Sequence, residues 1–433
     1  MPASRVHSPA EAVARVGASD SLAIGLGPAH PIKFLHAMGE RDDWVDLNLF
    51  GALLTDLYTI FTHEGVHYRS GFYGPAERFL RDSGADIAYV PADFRRFGPV
   101  VEALAPHIMA TAVAPPDDDG YLSLSLHAGA TVDELHRCGA DPERILIAEY
   151  AKSFPRTFGV EPDHPHRLHI DEVDILVESD AEPVDLAESP GTDIDLAIAE
   201  EARRYIPDGA TLQTGIGAIP SIIAGLLADG PGGGYGVHSE MFTTGLMRLH
   251  EAGKVTNTNK GPYDGFSVTT FAAGTPELYR WLDGNAAVRF LPVDVVNSAR
   301  VIADNRRFVS INGATAVDLW GQVAADTIDA KQHSGVGGHE DFLAGAGLQL
   351  EDRSLLCLRS SAVRDEGRAS RIVANLAPQM LVTTPRHQVD VVITEHGSAE
   401  LQGLSVPERA RALIAIAHPD FRAELEAAAE QMR

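Results

Sequence analysis

Thr211-Leu212-Gln213-Thr214-Gly215-Ile216-Gly217-Ala218-Ile219-Pro220 reads as a short strand over Thr211–Gln213, a glycine turn and the opening of a helix. The helix is predicted over Pro220–Ala228, with proline near the first turn, where its missing N–H is not needed. A strand that feeds a helix through glycines leaves backbone N–H groups free at the helix N-terminus, where the helix dipole favours negative charge. The turn is therefore either an anion or oxyanion site, or a glycine turn required only for backbone shape. A dinucleotide fingerprint would need glycine where Pro220 stands, and a Walker loop would need Gly-Lys-Ser/Thr.

The same alternation runs outward in both directions. Ser21–Ile24, Asp46–Phe50, Ile87–Tyr89, His107–Thr111 and Ile145–Ala148 are short and rich in branched or apolar residues. Helical segments at Pro31–Arg41, Pro75–Ser83 and Val132–Cys138 lie between several of them. Beyond the glycine turn, strands are predicted at Ser267–Phe271, Val288–Leu291, Phe308–Ile311, Leu355–Leu358, Leu381–Thr384 and Val389–Thr394, and closing helices at Pro407–His418 and Phe421–Met432. This pattern predicts an α/β protein with mostly parallel strands. It lapses near 180–192, where Ser179-Asp180-Ala181-Glu182-Pro183 and Glu188-Ser189-Pro190-Gly191 are acidic and carry Pro and Gly. The expected division is an N-terminal domain over 1–190 and a C-terminal domain over 191–433.

The 433 residues suit two to four domains by length, and a 45% hydrophobic share supports a sizeable core. A net charge of −26, from 35 basic and 61 acidic residues, argues against broad contact with nucleic acid or an anionic membrane. It leaves room for an anionic small molecule bound by backbone dipoles. Two distant cysteines, Cys138 and Cys357, indicate no disulfide framework and point to a reducing cytoplasm. The N-terminus reads as a capped helix starting near Ser8 rather than a secretory signal, and no apolar run approaches the ~18 residues that cross a bilayer.

Three glutamates, Glu149, Glu240 and Glu395, stand at apparent strand ends, where ligands bind in open α/β sheets. Glu240 lies in Gly236-Val237-His238-Ser239-Glu240-Met241, between the Gly215–Pro220 loop and a second loop, Gly335-Val336-Gly337-Gly338. A carboxylate near bare backbone N–H groups suits covalent acyl chemistry without a metal. Glu240 is favoured over its rivals because it follows Gly232-Gly233-Gly234, but spacing alone does not select it. His63-Glu64-Gly65-Val66-His67 matches the zinc string HExxH, which works only on a helix. Gly65 and the surrounding aromatic residues predict extended structure and turns instead. His164, His166 and His169 read as a solvated loop, Asp117-Asp118-Asp119-Gly120 lacks calcium-loop spacing, and no GxSxG elbow occurs. No metal site is expected.

TGIGAIP (214–220), GVHSEMFTTGLMRL (236–249), PVDVVNSARVIADN (292–305), VSINGATAVDLWGQV (309–323), SGVGGHEDFLAGA (334–346), SRIVANL (370–376), VVITEHGSAEL (391–401) and ERARALIAIAHPDFR (408–422) follow one another in the order of a known family. Through them the chain resembles the acetyl-CoA hydrolase/transferase family, above all its 4-hydroxybutyrate and succinyl-CoA:acetate CoA-transferase types. GLGPAHP (25–31), FYGPAER (72–78) and PPDDDGYLSLS (115–125) carry a looser likeness in the first half. The resemblance implies two related α/β domains, a homo-oligomer such as a dimer, and ping-pong transfer of CoA between an acyl-CoA and a small carboxylic acid. It implies that Glu240 is the nucleophile, that the N–H groups of Ile216 and Gly338 are oxyanion donors, and that Asn297 orients the carboxylate or the acyl group. Gly215, Ile216, Gly217, Ala218, Ile219, Gly337 and Gly338 would run along bound CoA, a substrate here, and no cofactor is required. The family usually has Gln or a small residue where His339 stands, and Glu340 adds an acid. The Glu149–Thr157 string lacks the family's Asn, and the leader Gly261–Phe266 is atypical. Acyl-CoA hydrolysis on the same scaffold and a CoA-binding protein without catalysis are the competing expectations.

Overall fold

The computed structural model describes residues 6–188, 190–365 and 367–432. The chain forms two units. The first runs to Leu186 and takes in Val268–Val296, and the second comprises Ala187–Ser267 and the chain from Asn297 onward.

The first unit is built on eight strands: β1 (Val6–His7), β2 (Ser19–Leu26), β3 (Asp46–Ala52), β4 (Val66–Ser70), β5 (Ile87–Tyr89), β6 (Ile108–Val113), β7 (Ile145–Tyr150) and β8 (Ile175–Glu178). Their order in the sheet is β1-β8-β7-β6-β2-β3-β4-β5, and every neighbouring pair is parallel. Parallel strands need crossovers, and helix α1 (Ile32–Met38) is one of those that supply them. It drives Phe34, Leu35 and Met38 into a core with Leu22, Ile24, Leu47, Leu49, Ile108 and Ile147. Each such side chain contributes about 1.5–3 kcal/mol of burial. The expected helix at Ser8 forms as Pro9–Val13, closed by a capping box between Ser8 and Glu11.

The second unit contains β9 (Thr211–Thr214), β10 (Gly236–Val237), β11 (Phe308–Gly313), β12 (Arg353–Cys357), β13 (Val391–Thr394) and β14 (Gly397–Glu400), ordered β10-β9-β11-β12-β13-β14. All pairs are parallel except the closing hairpin β13–β14. Its helices include α2 (Asp193–Arg203), α3 (Ala218–Asp229), α4 (Thr244–Glu251), α5 (Ala299–Ala303), α6 (His339–Ala346), α7 (Val406–Ile416) and α8 (Pro419–Ala429). Leu343 of α6, Leu413 and Ile416 of α7 and Leu425 of α8 share one core with Leu356 and Val392 of the sheet. The mixed α/β architecture with mostly parallel sheets is the one expected.

Three expectations need correction. His166, expected in a solvated loop, is buried with its ring stacked on Phe290. The sequence divides once, near residue 190, whereas Val268–Val296 returns to the first unit. The Thr270 carbonyl accepts from Ala128 and Gly129, Ala272 N–H donates to the Leu126 carbonyl, and Phe290 N–H donates to that of Phe158. Backbone pairing over such separations leaves no trace in local composition. The segment Leu381–Thr384 is no strand: only Thr384 pairs, by a single antiparallel bridge to Val323. Residues 63–67 form a turn entering β4, with Gly65 at φ +78°, so the two histidines do not share a helix face. His63 Nε2 instead meets the Gly39 carbonyl at 2.9 Å, and His67 Nδ1 meets Asp86 at 2.5 Å.

Candidate active site

Strands β10, β9 and β11 lie side by side, and the carboxyl ends of β9 and β10 release two of the segments singled out from the sequence. β9 ends in the loop Gly215–Gly217 and then α3, for which Gly217 is the N-cap at φ +120°. β10 is followed by His238, Ser239 and Glu240, before α4 begins at Thr244 with Thr243 as its cap. The buried Ser239 ties the two segments together. Its hydroxyl accepts the Thr214 N–H at 3.3 Å and reaches the carbonyls of Thr214 at 3.1 Å and Met241 at 2.8 Å, one of which it donates to. The buried Lys260 holds β10 from the other side, with Nζ 3.3 Å from the Val237 carbonyl and 2.9 Å from that of Phe266. Burial pushes its pKa down to about 7.

Glu240 meets the second glycine loop through α6. Gly338 is the N-cap of that helix, and a Cβ built on it would stand 1.8 Å from Glu240 Oε2 and 2.6 Å from Asn297 Nδ2. A side chain there would have to displace the Glu240 carboxylate. Asn297 Nδ2 donates to Glu240 Oε2 at 2.6 Å and to Asp341 Oδ2 at 3.0 Å, and both Asn297 and Asp341 are fully buried. The close approach of α5 to α6 supports this arrangement, because a Cβ on Gly345 would strike Ile302 at 2.5 Å. Burial, with a smaller contribution from the Asp341 charge, raises the Glu240 pKa to about 8, against the opposing hydrogen bond from Asn297.

The rival glutamates have different surroundings. Glu149, buried at the end of β7, accepts the Lys33 and Phe34 N–H groups at 3.1 and 2.9 Å and the Ser179 hydroxyl at 2.9 Å, which caps the first turn of α1. Glu395 accepts the Ser360 N–H at 2.8 Å and its hydroxyl at 2.6 Å. Both satisfy backbone N–H groups and a serine hydroxyl, whereas Glu240 accepts from the side-chain amide of Asn297.

The structure thus brings Glu240, Asn297 and Gly338 together, with Gly337 beside them at φ +55°. Ile216 stands apart: its side chain is 57% exposed on the neighbouring loop, and Gly215, Gly217, Ala218 and Ile219 lie along the same partly open turn. His339 and Glu340 turn to Thr384 rather than to Asn297. His339 Nε2 donates to the Thr384 hydroxyl at 2.8 Å, and that hydroxyl donates to the Glu340 carboxylate. Burial holds the His339 pKa down to about 4, so the imidazole is neutral.

Sequence reading missed Asp341 as a partner of Asn297, although it lies inside the quoted string 334–346. It also missed Arg371. This half-buried guanidinium makes no side-chain hydrogen bond or ion pair with the described residues, and it lines a cavity of about 710 Å3 with Thr315, Ala316, Ala362 and Arg364. Burial and the nearby charges of Arg359 and Arg364 depress its pKa. The residues that line the cavity follow β11 and β12 in the sequence. Among the described residues no cluster of His, Cys, Asp or Glu is arranged to hold a metal ion, and no helix is long and apolar enough to cross a membrane.

Residues 274–429 match the acetyl-CoA hydrolase/transferase C-terminal domain. Over 91% of its length the chain is 36% identical to the 4-hydroxybutyrate coenzyme A transferase of Clostridium kluyveri, covering 92% of that protein. Over 99% of its length it is 33% identical to the succinyl-CoA:cyclohexane-1-carboxylate CoA transferase of Geobacter metallireducens, covering 95% of it. The crystal structure of RipA from Yersinia pestis superposes with a TM-score of 0.88 at 31% identity, over 99% of this chain and 97% of that one.

Proposed function

The chain belongs to the acetyl-CoA hydrolase/transferase family, and from that premise we propose that this CoA-transferase moves CoA between a short-chain acyl-CoA and a small carboxylic acid through a glutamyl-CoA thioester on Glu240. The observation that carries the reading is the position of the Glu240 carboxylate, 2.6 Å from Asn297 Nδ2 and against the bare Cα of Gly338.

A carboxylate Oε of Glu240 attacks the thioester carbonyl, the C–S bond breaks, and CoA leaves as its thiolate. The thiolate attacks the Glu240 carbonyl carbon of the resulting mixed anhydride, forming the glutamyl thioester and expelling the first acid as carboxylate. The second carboxylate attacks that thioester and releases the thiolate again. Attack of the thiolate on the acyl carbon of the new anhydride yields the new acyl-CoA and returns the free Glu240 carboxylate. No net proton moves. Each tetrahedral intermediate carries an oxyanion, and one preorganised N–H donor is typically worth about 3 kcal/mol in such a transition state. Asn297 Nδ2 and the N–H groups of Gly338 and Ile216 are the donors we assign. A carboxylate with a pKa near 8 is a stronger nucleophile than one in water, provided that it is ionised.

CoA lies, in this reading, along Gly215–Ile219 and Gly337–Gly338, with its phosphates toward Arg371 in the cavity, where Arg364 is paired with Asp329 at 2.8 Å. Binding energy gathered there is available at the reacting carbon. The working form is assigned as a cytoplasmic homodimer, which light scattering on the purified protein tests. The mechanism is tested by incubating the protein with acetyl-CoA, reducing with borohydride and mapping peptides by mass. A modification at Glu240 is expected. Transfer that proceeds without any Glu240 adduct rules the covalent route out. Thiol release that needs no acceptor acid identifies a hydrolase instead.

A further inference from the structure

Asn297 carries one amide group with two N–H donors and one acceptor. Both donors are committed, one to Glu240 Oε2 at 2.6 Å and one to Asp341 Oδ2 at 3.0 Å. Its acceptor, Oδ1, is buried and meets no donor among the described residues. Turned over, the amide would bring that oxygen against two carboxylate oxygens, so the orientation is dictated from both sides. Only one side survives turnover unchanged. Glu240 becomes an anhydride and then a thioester, and its hold on the amide changes at every step. Asp341, fully buried in the first turn of α6, takes no part in these covalent steps.

We propose that Asp341 is a positioning residue that acts through Asn297. It fixes the amide so that an N–H always faces the Glu240 acyl group, first as donor to the carboxylate and then as donor to the oxyanion of each intermediate. This rests on the assignment of Glu240 as nucleophile. It adds a residue that touches neither substrate nor the reacting atoms.

The geometry has a second consequence. The Asp341 carboxylate faces Glu240 from α6, and its charge helps to raise the pKa of Glu240. Two other groups lie against Glu240, Asn297 ahead of α5 and the Gly338 backbone at the start of α6, and neither titrates. His339 is neutral, and its Nε2 meets the Thr384 hydroxyl at 2.8 Å. Removing the Asp341 charge therefore lets Glu240 ionise at lower pH, while releasing the amide slows the chemistry.

The test compares Asp341→Asn, Asn297→Ala and the double variant with wild type. The measurement is the pH profile of CoA-thiol release from acetyl-CoA in the presence of acceptor acid, on protein with wild-type circular dichroism. Asp341→Asn is expected to lower kcat by about ten- to a hundredfold, to change KM little, and to move the acidic limb to lower pH. In the Asn297→Ala background it should lower kcat by less than threefold, because residues acting as one unit are not additive. Equal losses in both backgrounds overturn the proposal, as does a lowered kcat with an unmoved limb or a moved limb with wild-type kcat. Should Asp341→Asn fail to fold, Asp341→Glu, which keeps the carboxylate, takes its place. It should regain the wild-type limb with a partial loss of kcat, and a limb moved to lower pH overturns the proposal. Glu240→Gln is measured alongside: turnover in that variant refutes the nucleophile itself, independently of Asp341.

Discussion

The Cα of Gly338 lies directly against the carboxylate of Glu240, so close that a methyl group there would overlap Oε2 at 1.8 Å. Gly338 has φ −90° and ψ 7°, values open to any residue, so the requirement for glycine comes from Glu240 and not from the backbone. Gly338→Ala should therefore fold with little change in melting temperature yet lower kcat at least a hundredfold, by displacing the carboxylate from Asn297. Thermal melts and steady-state kinetics on one preparation check both halves.

Glu240 should give the transferase an acidic limb near pH 8, because the reactive form is the carboxylate and its pKa is raised to about 8. Glu240→Gln should lose more than a thousandfold in rate. The same shift affects stability. A carboxyl group whose pKa is raised on folding contributes fully below its unfolded pKa near 4.5 and loses that contribution as the pH rises through 8. The gain in melting temperature from Glu240→Gln should therefore be larger at pH 9 than at pH 5.5. An equal gain at both would show that Glu240 titrates normally.

Glu149 should be structural. Glu149→Ala removes the acceptor for two N–H groups of α1 and for the Ser179 hydroxyl. Leaving buried donors unpaired costs about 1–3 kcal/mol each, so a loss of about 2–4 kcal/mol is expected after partial relaxation and hydration. The folded fraction should turn over at the wild-type rate. Urea titration with activity normalised to folded protein measures this.

Arg371→Ala should raise the KM for acyl-CoA about ten- to a hundredfold with kcat within threefold, since in the proposed pose it removes a charge that faces the phosphates and nothing at the reacting carbon. A simpler pantetheine thioester, without phosphates, should be used equally by variant and wild type. Sensitivity of that substrate to the substitution would mean that Arg371 supports the fold rather than CoA.

Thr384 links His339 and Glu340 by accepting from one and donating to the other. Thr384→Val should destabilise the protein by about 2 kcal/mol while leaving two polar partners in need of water. Because His339 is neutral with a pKa near 4, no change in activity between pH 5.5 and 8 should trace to it. His339→Gln should reproduce the wild-type profile.

Much of the fold was legible because its signals are local. Apolar runs of four to six residues bounded by helical segments announce parallel strands, and the glycine loop at 215–217 joins β9 to α3 as read. Ser8 with Glu11 announced its own helix start. The return of Val268–Val296 to the first unit was not legible, because it depends on pairing between Thr270 and the backbone at 128–129. Thr384 was misread as part of a strand because Leu381-Val382-Thr383-Thr384 has strand composition, although only the tertiary bridge to Val323 is available to it.

By itself the sequence determined the alternating α/β elements, the glycine turns and, through the order of its motifs, the family. Those features follow from residue type and spacing along one segment. The motif order also singled out Glu240, and only the tertiary structure shows how its surroundings differ from those of Glu149 and Glu395, because that depends on what reaches each from elsewhere in the chain. Glu149 and Glu395 meet backbone N–H groups and serine hydroxyls that they satisfy. Glu240 meets an asparagine 57 positions away and a glycine that leaves it space. Asp341, 44 residues beyond Asn297, joins them because α5 packs on α6, a contact that depends on the absent side chain of Gly345.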